Sequence, residues 1–171
     1  MNSKEYIDYL ESYIKYTELC INNIKRVMYS NINNFQEIFN NFENNKIIHY
    51  VLKYFYEKRY NDDILISYLA TQISGVYFIE FLQNIYDETE EGNEFEGYMI
   101  SNNYYEDDEE YFGKNKIKFY SYVGELKEDI LTYKEFYEYL QIASDFYIEL
   151  HPEQKEEVIA LLEKIKAKYL A

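Results

Sequence analysis

KIKFYSYVGELKEDILTYKEFYEYL, residues 116–140, decides how this chain folds. Its first eight residues alternate. Ile117, Phe119, Ser121 and Val123 fall on one face, and Lys116, Lys118, Tyr120 and Tyr122 on the other, the period of a half-buried strand. Gly124 marks a turn, and Leu126–Leu131 returns as a short strand. Thr132, followed three residues later by Glu135, has the form of a capping box, in which each side chain takes the other residue's backbone N–H. The helix it opens carries an apolar stripe of Phe136, Tyr139/Leu140, Ala143, Phe146/Tyr147 and Leu150. His151-Pro152 ends that helix and starts another, with Pro152 in the first turn, where its missing N–H costs nothing. Glu153, Glu156 and Glu157 crowd the start of the last helix, and Lys164, Lys166 and Lys168 crowd its end. Both sets match the helix dipole. Val158, Leu161, Leu162, Ile165 and Tyr169 face inward, so Leu140, Phe146, Leu161 and Ile165 are expected to be buried in this hairpin.

Toward the N-terminus, Phe95–Ser101 is the second good strand. Val76–Phe81 is apolar on both faces and reads either as a buried strand or as continued helix; Gly75 and the β-branched and aromatic run favour the strand. Ile64–Gln72 is helical, stopped and capped upstream by Asn61-Asp62-Asp63. A helix over Lys46–Arg59 turns Ile47, Ile48, Val51, Leu52 and Phe55 to the core, with His49 beside them as a partly buried structural histidine. Phe35, Ile38, Phe39 and Phe42 form a short amphipathic set ending at Asn44-Asn45. It follows a break at Asn31, Asn33 and Asn34. Behind Ser3, a seam of Ile7, Leu10, Ile14, Thr17, Ile21, Ile24 and Met28 predicts one long helix. The expected fold is α+β in a single domain over 1–171. Residues 1–74 are mainly helical, 75–131 hold a small antiparallel sheet within about 76–131 and its acidic loops, and 132–171 form the helical hairpin.

Composition narrows the function. The chain has 171 residues, with 32 acids against 17 bases and a net charge of −15. That balance argues against direct binding to nucleic acid or an anionic membrane surface. Asp87–Glu110 alone holds eleven carboxylates and no Lys or Arg. Glu96 lies within the strand at Phe95, and the other ten fall in two clusters around it: Asp87, Glu88, Glu90, Glu91 and Glu94 on one side, and Glu106, Asp107, Asp108, Glu109 and Glu110 on the other. Crowded like charges do nothing for folding, and a solvated loop is the ordinary reading of either cluster alone. Two clusters bracketing one strand point to a partner with a basic surface, drawn in by the field. The 23 tyrosines suit an interface, although Tyr, Asn, Ile and Lys are also the residues that A/T-rich codons favour. Cys20 is alone, so no internal disulfide forms. The N-terminus MNSKEYIDYLESYIKY lacks the basic and apolar regions of a signal peptide, and no apolar run is long enough to span a bilayer. The cytoplasm is the expected compartment.

Catalytic patterns are missing. Five scattered glycines make no nucleotide-binding loop, and neither Cys20 nor the two histidines has a recognisable catalytic partner. Asp87-x-Thr89-x-Glu91-Gly92 resembles the start of a calcium loop, but Tyr98 stands where the bidentate Glu belongs. No metal, cofactor or catalytic residue is expected.

FEGYMIS at Phe95–Ser101, together with Lys116–Tyr169, resembles the immunity proteins of contact-dependent growth inhibition systems. More narrowly it is similar to the CdiI family that is paired with EndoU-type ribonuclease toxins. The residues that carry the resemblance are the strand pair, Thr132-x-x-Glu135-Phe136-x-x-Tyr139-Leu140, and Tyr147-Ile148-Glu149-Leu150-His151-Pro152-Glu153. They cover roughly the last 80 residues, and the segment Asp87–Glu110 is longer than the family leads one to expect. The resemblance implies a cognate toxin as partner and no catalytic residues.

Charge and resemblance agree on an antitoxin that binds a ribonuclease toxin and occludes its basic RNA site as a polyanion mimic, as a monomer in a 1:1 complex. Carboxylates would stand where phosphates go, with Tyr104, Tyr105, Tyr111 and Phe112 as anchors. The cluster at Asp107–Glu110 ranks first, because Gly92 and Asn93 read as a mobile turn beside the other. The alternatives are a helical structural or regulatory protein, dimerising through the Ile7–Met28 seam, and an enzyme of unseen mechanism.

Overall fold

The computed structural model describes residues 4, 7–8, 10–15, 17–18, 32–58, 60, 62–75 and 77–170. The chain divides into two compact units, Met1–Asn61 and Asp62–Ala171.

In the first unit the described residues between 4 and 18 are helical. Leu10 of the expected seam is buried, and Thr17, its polar member, turns its hydroxyl back to Tyr13 O at 2.6 Å. Ser3, Cys20, Ile21, Ile24, Met28 and Asn31 lie outside the described residues. The next helix, α1, runs unbroken over Ile32–Glu57. The expected break at Asn33 and Asn34 and the stop at Asn44-Asn45 are therefore wrong. Asparagine costs a helix interior only about 0.7 kcal/mol relative to alanine, and no Gly or Pro occurs in the segment to end it. Val51, Phe55 and His49 are buried, and His49 Nε2 lies 3.6 Å from Glu11 Oε1.

The second unit begins with α2 (Asp63–Ser74) and α3 (Phe78–Asp87). Val76 lies outside the described residues; over the rest of Val76–Phe81 the favoured strand is overturned, since α3 buries Phe78, Phe81, Leu82 and Ile85 and leaves Glu80 exposed. That three- and four-residue spacing is helical, and strand propensity gives way when one helical face finds a core. The sheet accordingly starts later than expected. It comprises β1 (Glu91–Gly92), β2 (Glu96–Ile100), β3 (Lys116–Val123) and β4 (Glu125–Thr132), in that spatial order and antiparallel throughout. Gly124 turns β3 into β4 with φ 79°.

One sheet face meets the helices. Ile117 and Phe119 of β3, Tyr98 and Ile100 of β2, and Leu131 of β4 are buried there. Five rings close the centre of this core: Tyr68 from α2, Phe81 from α3, Tyr98, Phe119, and Phe136 from the next helix. Neighbouring centroids lie 5.4–6.5 Å apart. On the opposite face Tyr120 crosses the two glycines paired between β1 and β2, and donates its hydroxyl to Asn93 O at 3.1 Å. A Cβ on Gly97 would lie 2.5 Å from both Glu91 O and Gly92 Cα, and 2.7 Å from the Tyr120 hydroxyl. Gly97→Ala is therefore expected to part β1 from β2 and lower unfolding stability by about 1–3 kcal/mol. Denaturant titration checks this, and unchanged stability would mean the strands do not approach so closely.

Thr132 caps α4 (Tyr133–Leu150) with the reciprocal box expected of Glu135. These bonds hold the Glu135 carboxyl below its usual range. A short 3-10 turn, Pro152–Gln154, leads into α5 (Lys155–Tyr169). Leu140, Leu161 and Ile165 are buried as expected. Phe146 is only half-buried, and Tyr147 takes the core position instead, stacked 4.9 Å from Phe78. α5 also fastens α3: Tyr169 donates to Ile85 O at 2.7 Å and Lys168 to Tyr86 O at 2.6 Å.

The start of α2 departs from expectation. Asp62 makes no side-chain cap; its carboxylate accepts from Tyr139. The cap comes from β4, where Asp129 Oδ2 accepts the N–H groups of Ile64 and Leu65 at 2.8 and 2.9 Å.

Candidate functional site

The two acidic clusters, alike in sequence, have different fates. Glu88 ends α3 in the left-handed region, with φ 57°. It accepts from Asn102 Nδ2 at 2.7 Å, and Lys168 stands 3.5 Å away. Its carbonyl accepts from Asn103 Nδ2 at 3.1 Å. Glu90 takes the Ile100 N–H at 2.7 Å with one oxygen and the Tyr104 hydroxyl at 2.9 Å with the other. Glu91 accepts from Asn84 Nδ2, and from the Tyr68 hydroxyl at 3.4 Å. Asp87 accepts from Gln83 at 2.6 Å on its own helix. Glu88, Glu90 and Glu91 fasten the hairpin and the chain after β2 to the helices; Asp87, bonded only within its helix, and Glu94, at the turn, stand exposed. The turn expected at Gly92 and Asn93 is built by strand pairing and side-chain bonds. Gly92 pairs with Gly97, and Asn93 Oδ1 accepts from the N–H groups of Phe95 and Glu96 at 2.7 and 3.1 Å. Asp87, Thr89 and Glu91 likewise turn to separate partners, Thr89 through its carbonyl to the Tyr98 hydroxyl at 2.7 Å.

The second cluster stays in solvent. Glu106, Asp107, Asp108, Glu109 and Glu110 are all exposed. Among the described residues, the side-chain bond within this run is Asp108 accepting from Tyr105 N at 2.7 Å. Backbone bonds from Asp108 N to Tyr105 O and from Tyr111 N to Asp108 O make the segment two successive tight turns, which spread five like charges outward. The proposed anchors divide. Tyr105 is 78% exposed. Tyr104 is half-buried, its ring 6.0 Å from Phe112, and burial and the hydrogen bond to Glu90 push its hydroxyl up to about 12. It stays a neutral donor at physiological pH and belongs to the support of the loop. Phe112 and Tyr111 are half-buried, and Lys118 Nζ lies 5.1 Å from the Phe112 ring centre. The loop is thereby footed on the sheet face away from the helices.

That face holds residues the sequence did not single out. Phe95, Tyr122, Leu126 and Ile130 are 58, 51, 58 and 46% exposed. The alternation in β3 located a second face; it could not say which face the helices would leave open, because aromatic residues occur on both.

Among the described residues, no group of three or more His, Cys, Asp or Glu side chains is placed to hold a metal ion. No helix among them is long and apolar enough to cross a membrane.

Residues 61–162, more than half of the chain, match a family model described as CDI immunity protein. The match spans α2, α3, the whole sheet, the acidic loop, α4 and the first half of α5. No curated protein matches the chain, and no solved structure does.

Proposed function

The chain belongs to the family of CDI immunity proteins, and from that premise we propose that the toxin it neutralises is a ribonuclease whose basic RNA site is occluded by the Tyr104–Phe112 loop. The observation that carries this reading is the exposed run Glu106–Glu110, five consecutive carboxylates spread by tight turns, in which Asp108 bonds only within the loop, to Tyr105 N, whereas Glu88, Glu90 and Glu91 are engaged by other elements. A site that cleaves RNA must hold phosphates, so it is basic, and a row of carboxylates can stand in for them. Tyr105 supplies an exposed ring between the charges. The chain acts by binding alone, one copy to one toxin, in the cytoplasm where the toxin would find RNA.

The test is kinetic. Reversing Asp107, Asp108, Glu109 and Glu110 to Lys leaves the fold intact, since the run is exposed and reversal relieves its self-repulsion. Association with the toxin encoded immediately upstream should slow by at least about tenfold, and that of the unmodified chain should fall steeply as salt screens the field beyond roughly 8 Å. An RNA-cleavage assay beside it should show protection lost. A folded quadruple variant that binds and protects like the parent would reduce the run to a solvated loop.

A further inference from the structure

We infer that the toxin docks across the open face of the sheet, with Phe95, Tyr122, Leu126 and Ile130 as the apolar centre of the contact and Glu106–Glu110 as its charged rim. The inference rests on the toxin-neutralising reading above and says where on this chain the contact lies.

The apolar residues form a row. Tyr122 N–H donates to Phe95 O at 2.6 Å, which extends the β2–β3 ladder by one pair beyond Glu96 and Ser121. Leu126 stands opposite Tyr122 in the β3–β4 ladder. Side chains directly opposite share a face about 5 Å apart, so Phe95, Tyr122 and Leu126 cross three strands in line. Ile130 lies on the same face of β4, four residues or roughly 13 Å from Leu126. Between them Glu128 is paired with Lys118 at 3.3 Å, so no net charge interrupts the row. Single exposed apolar side chains are ordinary, but a contiguous set crossing a sheet marks a contact.

Loop and row share one surface. Phe112 meets Lys118 on this face, and Lys118 stands four residues from Tyr122 on β3, again roughly 13 Å. A standard interface of about 800 Å² per partner is some 30 Å across and covers both. An aromatic and aliphatic centre inside a charged margin is the usual anatomy of such a contact. The occupant that fits is a protein with an apolar patch bordered by Lys and Arg. A second copy of this chain does not fit, because it would bring the same carboxylates to the same margin of a protein already at −15.

The experiment measures binding kinetics of the full chain with the toxin encoded immediately upstream, at physiological salt. The double substitution Tyr122→Thr and Leu126→Thr keeps strand-forming residues while removing contact area. Dissociation should quicken by about 30-fold or more, with association within about threefold of the parent. The melting curve should stay within a few degrees, because both side chains are exposed. Charge reversal in the loop should do the opposite and act mainly on association. If the folded double variant dissociates like the parent, the docking face is wrong while the toxin reading stands. If the parent itself fails to bind, the toxin reading falls and this inference with it. A parent dimer that the double substitution dissolves, with toxin kinetics unchanged, would assign the face to self-contact and overturn the inference.

Discussion

Phe119→Ala is expected to lower the free energy of unfolding by about 3–5 kcal/mol. Phe119 is fully buried, and its ring lies 5.4–5.7 Å from those of Tyr68, Tyr98 and Phe136. Its removal opens a cavity where α2, β2, β3 and α4 meet. The loss combines transfer of the ring with forfeited ring–ring contacts, each worth about 0.5–1.5 kcal/mol. For a chain of this length each kcal/mol moves the melting temperature by roughly 2–4 °C, so a fall of about 6–20 °C should be read in a thermal scan. Tyr122→Ala is the control on the same strand. It faces solvent at 51% exposure, and it should cost under about 1 kcal/mol. Equal losses at the two positions would mean the assignment of sheet faces is wrong.

Asp129→Ala should cost about 2–4 kcal/mol, because it leaves the N–H groups of Ile64 and Leu65 without their acceptor at a part-buried helix start. Asp129→Asn should cost under about 1 kcal/mol. Both N–H groups bond a single oxygen, Oδ2, which an amide oxygen can replace. Burial, together with nearby Asp62 and Asp63, raises the Asp129 carboxyl above its ordinary value despite the two backbone bonds. A carboxyl raised on folding adds stability that is fully present below its unfolded value, near pH 4, and is lost as pH rises through the raised one. The gap between parent and Asp129→Asn should therefore shift in favour of the amide from about pH 4 upward. Denaturant titrations of both variants across pH 4–7 check the cost and the sign. A large loss in the Asn variant that grows as pH rises above about 4 would show that the charge itself holds the helix.

Legibility followed the range of the interactions. Thr132 and Glu135 are three residues apart, so their box was plain in the chain. So was Lys116–Val123, whose alternation reports burial on one side. Asn44-Asn45 misled because the cost of asparagine in a helix is small beside the packing of α1. Val76–Phe81 misled because a largely apolar run fits a two-sided strand as well as a helix, until Glu80 is seen turned to solvent. The acidic segment was legible as charge and illegible as two halves. Nothing local separates Glu90, bonded to Ile100 and Tyr104, from Glu109, bonded to neither.

The sequence by itself determined the α+β class, the strand pair around Gly124, the capped helical hairpin and the concentration of charge between Asp87 and Glu110. Each is written in periodicity, turn chemistry or composition over a few neighbouring residues. Only the tertiary structure decided that α2 is capped by a carboxylate 64 residues away. It also decided that Glu88, Glu90 and Glu91 hold the fold while Glu106–Glu110 stay exposed, and that Phe95, Tyr122 and Leu126 come into register on one exposed face. These depend on which distant groups come within hydrogen-bonding or contact distance, and a buried donor is satisfied by any acceptor, wherever the chain brings it from.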